Sequence, residues 1–245
     1  MEDSTVLELN NVTKSFGGLV AVHDVSLKVS QEETLGIIGP NGAGKTTLFS
    51  IISGFVKPDA GEIVFAGKQL VGMRPDQICK LGLVRTFQLV QSFPNLTAIE
   101  NIMIGAFSKN PNSSKARQEA EQWLDFSGIS QKKWHMPAKN LTLVDKKRLE
   151  LARSLATDAK IILADEAMSG LNATEITEVI GFIQKIKQMG ITIVLIEHVM
   201  KVVMNLSDRI IMLQNGAKVI EGPPDDILKD SSVIKAYLGE ENPFV

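Results

Sequence analysis

Gly39-Pro40-Asn41-Gly42-Ala43-Gly44-Lys45-Thr46 follows directly on the apolar run Thr34-Leu35-Gly36-Ile37-Ile38. The spacing is G-x-x-x-x-G-K-[ST], a buried strand running into a glycine-rich loop and then a helix predicted over Lys45–Ile52. The chemistry accounts for each residue type. Glycines let consecutive backbone amides turn inward onto phosphate oxygens. The helix N-terminus behind them adds positive potential. Lys45 reaches the β- and γ-phosphates, and the Thr46 hydroxyl suits Mg2+. The residues expected to contact a nucleotide are therefore Gly39, Pro40, Asn41, Gly42, Ala43, Gly44, Lys45, Thr46 and Thr47.

A phosphate loop of this kind needs a second carboxylate for its metal. Ile161-Ile162-Leu163-Ala164 reads as a buried strand and ends in Asp165-Glu166. Asp165 is placed to support Mg2+. Glu166, one residue on, is placed to orient or deprotonate a water. The 120 residues that separate Lys45 from Asp165 exceed the usual gap of small kinases and GTPases.

Outward from these two strands the chain reads as α/β. Val6–Leu9 and Val25–Val29 alternate in polarity around a Gly17-Gly18 turn. Gly61–Gly67 predicts a strand, Pro75–Leu81 a short helix with proline in its first turn, and Leu83–Phe87 a strand. Residues 89–157 differ: helices are predicted over Ile99–Phe107, Lys115–Ser127 and Lys146–Thr157, split by the polar loop Ser108–Ser114. Strand and helix alternation then resumes, with a helix over Ala173–Met189, a strand over Thr192–Ile196 and a helix over His198–Leu206. Arg209–Leu213 and Ala217–Ile220 form a hairpin about Asn215-Gly216, and two short helices are predicted near 224–238. The expected architecture is one domain over 1–245. Its core, 1–88 and 158–245, has a mixed, largely parallel sheet with an antiparallel β part, and 89–157 form an inserted helical subdomain.

Composition narrows the function. The chain has 245 residues, 44% of them apolar, and a net charge of −2. That balance is not the basic excess of a general nucleic-acid binder, so no nucleic-acid partner is expected. A single cysteine, Cys79, rules out an internal disulfide framework. The start, Met1–Thr5, is acidic and polar and predicts no secretory leader. The longest aliphatic runs have strand length, well short of the roughly 18 residues of a membrane span. Work at a membrane would therefore go through a partner. His23 and His135 lack partners at metal-ligand spacing. Met103, Met189, Met204 and Met212 read as core filler, Trp123 and Trp134 as packing residues, and Lys146-Lys147-Arg148 as a solvated helix face.

With its long helical insert, this order of motifs resembles the ABC-transporter ATPases. Gln88, after the strand Leu83–Phe87, resembles that family's Q-loop glutamine, which touches Mg2+ and senses the membrane partner. His198 resembles its switch histidine at the γ-phosphate, Phe16 its adenine-stacking aromatic, and Ser169-Gly170-Leu171-Asn172 its D-loop. The resemblance covers essentially the whole chain. It implies an ATP hydrolase whose catalytic set is Glu166, His198, Lys45 and Gln88, and whose Mg2+ ligands are Thr46, Gln88 and Asp165.

One motif departs. Where the family has Leu-Ser-Gly-Gly-Gln, this chain has Leu141-Thr142-Leu143-Val144-Asp145. Thr142 keeps a hydroxyl for a γ-phosphate, and the Val144 amide is placed to donate from a helix N-terminus. In this family the signature completes the opposite subunit's ATP site. The stretches Thr142–Arg153, Asp165–Asn172, Ile196–Met200, Ser207–Ile210 and Ala236–Gly239 look like the LivG-type subunits of branched-chain amino acid importers. That likeness implies a second, LivF-type ATPase subunit or a second copy packed head to tail, and two membrane permeases. It also implies, indirectly, an extracytoplasmic solute-binding protein, with the chain at the cytoplasmic face of the cell membrane. The alternatives left open are the same ATPase role for another small polar solute such as urea, a soluble non-transport ABC ATPase, and a regulatory module that hydrolyses little.

Overall fold

The structure is a computed structural model that describes residues 5–230 and Val233. Two long strands, β1 (Thr5–Phe16) and β2 (Leu19–Ser30), pair antiparallel about the Gly17-Gly18 turn. Both run well beyond the predicted Val6–Leu9 and Val25–Val29. Register shifts keep the ribbon paired through polar residues that break its alternation. At one of them Asn11 and Asp24 take left-handed φ values of 50° and 51°, joined by an Asn11 Nδ2 to Asp24 Oδ1 bond of 2.8 Å. β4 (Ala60–Phe65) adds to β1, and a two-residue β5 (Lys68–Gln69), not expected from sequence, adds to β4.

The second sheet has six strands. Its order is β10 (Ala217–Gly222), β9 (Arg209–Gln214), β3 (Thr34–Ile38), β8 (Thr192–Ile196), β7 (Ile161–Asp165) and β6 (Leu83–Arg85). β10 pairs antiparallel through the expected Asn215-Gly216 hairpin, and the others run parallel. The central strands are buried on both faces, which is why they read as continuous aliphatic runs. Leu35, Ile37, Ile161, Leu163, Val194 and Ile196 face a core shared with the antiparallel sheet and α1 (Lys45–Ile52). Ile38, Ile162, Ala164, Ile193 and Leu195 face a second core.

That second core is built with α3 (Ala98–Ala106), α4 (Ser113–Ser127), α5 (Leu143–Leu155), α6 (Ala173–Gln188) and α7 (Met200–Leu206). α2 (Pro75–Leu81) precedes β6, and α8 (Pro224–Ile227) follows β10. The caps explain the starts: Thr97 with Glu100 for α3, Asn112 for α4, Asn172 with Glu175 for α6. α5 begins at Leu143, not Lys146, because Thr142 caps it. α7 begins at Met200, not His198. β6 ends at Arg85, not Phe87, because the Phe87 amide turns to the Glu150 carboxylate. The second helix expected near 224–238 and the Ala236–Gly239 stretch lie outside the described residues. Met212 is buried and Met103 and Met204 pack on the core, but Met189 stands 47% exposed at the end of α6. Trp123 stacks edge-on to Phe126, and Trp134 donates to the Ile129 carbonyl, both packing roles.

Candidate functional site

Two glycines wedge the loop between β3 and α1. Their φ values, +143° at Gly39 and +97° at Gly44, are ones that L side chains rarely adopt. A Cβ at Gly39 would lie 2.1 Å from the Leu213 carbonyl oxygen, and one at Gly44 2.2 Å from that of Ala21. Either side chain would lift the loop off β9 or β2. The buried Lys45 ammonium donates to the carbonyls of Gly39, at 2.6 Å, and Pro40, at 3.0 Å. Burial pulls its pKa down, and the carboxylates of Glu166 and Asp165 act against that.

Beside the loop, a cavity of about 290 Å3 is lined by Phe16, Leu19, Ala21, residues 41–47, Glu166 and His198. Phe16 is 49% exposed at its rim. The end of β1 that carries it is tied down by Asp59, which accepts from the Lys14 ammonium and the Ser15 amide, each at 2.7 Å. The hydrogen bond from Lys14 holds the Asp59 carboxyl below its ordinary range.

Asp165 closes β7 and is buried. One of its oxygens, Oδ2, accepts from Arg85 Nη2 at 2.7 Å. Arg85 also donates to Ser50 Oγ on α1 and stacks on Phe87, 5.0 Å from the ring centroid. The other oxygen, Oδ1, is buried with no hydrogen-bond partner. Burial pushes this carboxyl up and Arg85 pulls it back. A dry, unpaired carboxylate oxygen is the kind of ligand a hard divalent cation takes, and Thr46 stands exposed in the first turn of α1. The residues present therefore fit Mg2+.

Glu166 sits where three segments converge. Its φ is +48°, in the left-handed region, and its amide donates to the Ile196 carbonyl at 2.9 Å. One carboxylate oxygen accepts from Gln88 Nε2, and the other meets His198 Nε2 at 2.7 Å. Thr142 and Val144 do not line this cavity. They start α5, where Thr142 Oγ1 accepts from the Asp145 amide at 3.3 Å and donates to Asp145 Oδ2 at 2.8 Å. Lys133 pairs with the same carboxylate oxygen. Leu143, in the place of a signature glycine, lies against Gly170: a Cβ there would be 3.0 Å from Leu143 Cδ2.

The family profile described as "ABC transporter" matches residues 22–169. The chain belongs to this family. A second profile, "Branched-chain amino acid ATP-binding cassette transporter", matches residues 221–242. This ABC ATPase is 40% identical, over 96% of its length, to the high-affinity branched-chain amino acid transport ATP-binding protein LivG of Salmonella typhimurium, 98% of which is covered. It superposes on a nucleotide-free ATP-binding cassette from an ABC transporter with a TM-score of 0.88 at 30% identity, covering 96% of this chain and 100% of that one. With a dimeric post-hydrolysis cassette bound to ADP and Pi, the TM-score is 0.80 at 27% identity, covering 89% and 98%. The ABC ATPase binds ATP and hydrolyses it.

Three features of the ABC ATPase were not read from its sequence. Arg85 and Asp59 reach the site through pairings 80 and 44 residues apart, which no local pattern signals. Glu197, beside His198, is buried and accepts from the Met168 amide at 2.9 Å, and burial pushes its carboxyl up to about 7. The expected solvated face at Lys146-Lys147-Arg148 is overturned. Lys147 is buried, and Arg148 is largely so and paired with Glu178 at 2.8 Å. A signal was available: 144, 147 and 151 share one face of a 3.6-residue helix, and Val144 and Leu151 are core.

Proposed function

We propose that this ATPase energises the uptake of branched-chain amino acids through two partner permeases, at the cytoplasmic face of the cell membrane. The observation that carries the reading is the near full-length match to a LivG protein, with which the family profile matched at residues 221–242 agrees. Residues 89–157 are taken as the helical subdomain within a core formed by 1–88 and 158–245. Two ATPase subunits, this chain with a LivF-type partner or with a second copy, would face head to tail. Each ATP would lie between one chain's phosphate loop and the other's Thr142–Val144 stretch.

The residues divide the work as phosphoryl transfer to water requires, by positioning and charge neutralisation. Residues 39–47 cradle the phosphates, and Lys45 leaves the Gly39 and Pro40 carbonyls for the β- and γ-phosphate oxygens. Phe16 stacks on adenine. Thr46, Asp165 and Gln88 would hold Mg2+, which when bound offsets negative charge on the phosphates. Glu166 orients the attacking water and takes up its proton. His198 contacts the γ-phosphate. Phe55, which stacks edge-on to Phe87, is exposed, and so are Leu89, Phe93 and Leu96 in the segment that follows Phe87. That surface, next to Gln88, suits a permease loop.

The test is an affinity pull-down from detergent-solubilised membranes. Two polytopic membrane proteins and a second, similar ATPase should co-purify. The binding protein of that system should take leucine, isoleucine and valine but not urea. Recovery of the chain with no permease overturns the transport reading; a binding protein that takes urea alone overturns the cargo.

A further inference from the structure

Behind Glu166 lies a buried cation that the phosphoryl-transfer scheme does not use. The Lys147 ammonium, on α5, donates to the backbone carbonyl of Gln88 at 3.1 Å and to that of Glu166 at 3.3 Å. These are the two residues whose side chains meet at the cavity. Glu166 holds a left-handed backbone, which is strained for a non-glycine residue and persists only where its surroundings impose it. Here both ends are held: the amide by Ile196 on β8, the carbonyl by the Ser169 amide at 3.1 Å and by Lys147. One turn along α5, the Glu150 carboxylate accepts from the amides of Phe87 and Gln91, each at 3.4 Å. α5 thus grips the segment around Gln88 with a cation on a carbonyl and an anion on two amides. Glu150, Glu197, Glu166 and Asp165 all lend negative potential to Lys147, against the burial that pulls its pKa down.

We propose that Lys147 is a positioning residue for Glu166 and Gln88, and that it makes their geometry depend on how α5 is seated. The same helix begins with Thr142 as its cap and Val144 in its first turn, one turn before Lys147. A displacement of α5 by the nucleotide of a second subunit therefore moves Lys147, and with it the carbonyls of both residues. One ATP site thereby reports on the other through α5, with Lys147 as its contact to both residues. The inference rests on the reading of Glu166 as the residue that orients water.

The experiment compares Lys147→Met, Lys147→Gln and Lys147→Arg with Glu166→Gln, each in the full chain assembled with its partner subunits. Lys147→Met should lower kcat roughly ten- to a hundredfold, the scale of a misplaced reacting group. KM for ATP and the affinity for a fluorescent ATP analogue should stay within about twofold of the parent, the mark of an interaction used only in turnover. Lys147→Arg should restore most of the rate and Lys147→Gln a part of it, since each keeps donors for the two carbonyls. A parental kcat in Lys147→Met, with Glu166→Gln stalled, overturns the role of Lys147 alone. Loss of analogue binding together with rate in all three Lys147 variants shows a merely structural residue and also overturns it. Parental hydrolysis by Glu166→Gln overturns the reading of Glu166, and this inference with it.

Discussion

At the scale of single residues, the site is a set of side chains whose neighbours decide what they can do. Glu166 is held between an amide nitrogen of Gln88 and a ring nitrogen of His198, close to the phosphate loop. Glu166→Gln keeps the shape and removes the carboxylate proposed as the base. It should bind ATP like the parent and turn over roughly a hundred- to ten-thousandfold more slowly, the usual worth of a positioned general base. Phosphate release beside nucleotide retention on the same sample checks this. Glu197 gives a prediction of opposite character. Its carboxyl titrates near 7 in the fold, against an ordinary value of 4.5. Between those pH values the folded chain holds a proton that the unfolded chain has released, so stability falls as pH rises through the window. The full penalty is about 3 kcal/mol. Glu197→Gln can still accept from Met168 and has no charge to bury. Its melting temperature should gain on the parent by several degrees from pH 5 to pH 8. A constant offset across that range would contradict the burial of the charge.

At the scale of elements, α5 matters most, because its start departs from the family signature and its length spans two jobs. Without glycines, its first turn is organised by Thr142 and Asp145, each bonded to the other. Thr142→Ala removes the cap and should cost about 1 kcal/mol. That corresponds to a melting temperature lower by about 2–4 °C in a chain of this size, with Thr142→Ser near the parent. Equal melting of Thr142→Ala and parent would show that the cap contributes nothing. The same element shows where local reading stopped. A helix start at Lys146 overlooks Thr142 as a cap and Asp145 as a first-turn acid, both visible in the sequence. The early end of β6 was not visible, since it depends on Glu150, 63 residues away, taking the Phe87 amide.

At the scale of the whole molecule, two cores on either side of one sheet leave the strand ends free to present loops to one edge. There Phe16 from the antiparallel ribbon, the phosphate loop after β3, Glu166 after β7 and His198 after β8 line one cavity. The exposed Phe55 and the exposed apolar residues of the segment after Phe87 lie outside it. Leu89 is 77% exposed, so Leu89→Glu should leave ATP binding and the melting temperature at parental values while co-purification with the permeases falls. A pull-down unchanged by the charge would place the docking surface elsewhere.

The sequence by itself determined the fold class, the phosphate loop, the two carboxylates at the end of β7 and the order of the motifs. Each of these is written in contiguous residues, where glycine, lysine and strand-length aliphatic runs have strong local consequences. Only the tertiary structure decided that Lys147 is buried behind Glu166, that Arg85 takes one oxygen of Asp165, and that Asp59 anchors the strand end of Phe16. Those roles arise from polar groups, buried at Lys147 and Asp165 and exposed at Asp59, finding partners far away in the sequence. Desolvation makes pairing obligatory for the buried groups once the chain is folded, and which partner each one takes is not announced by its neighbours in sequence.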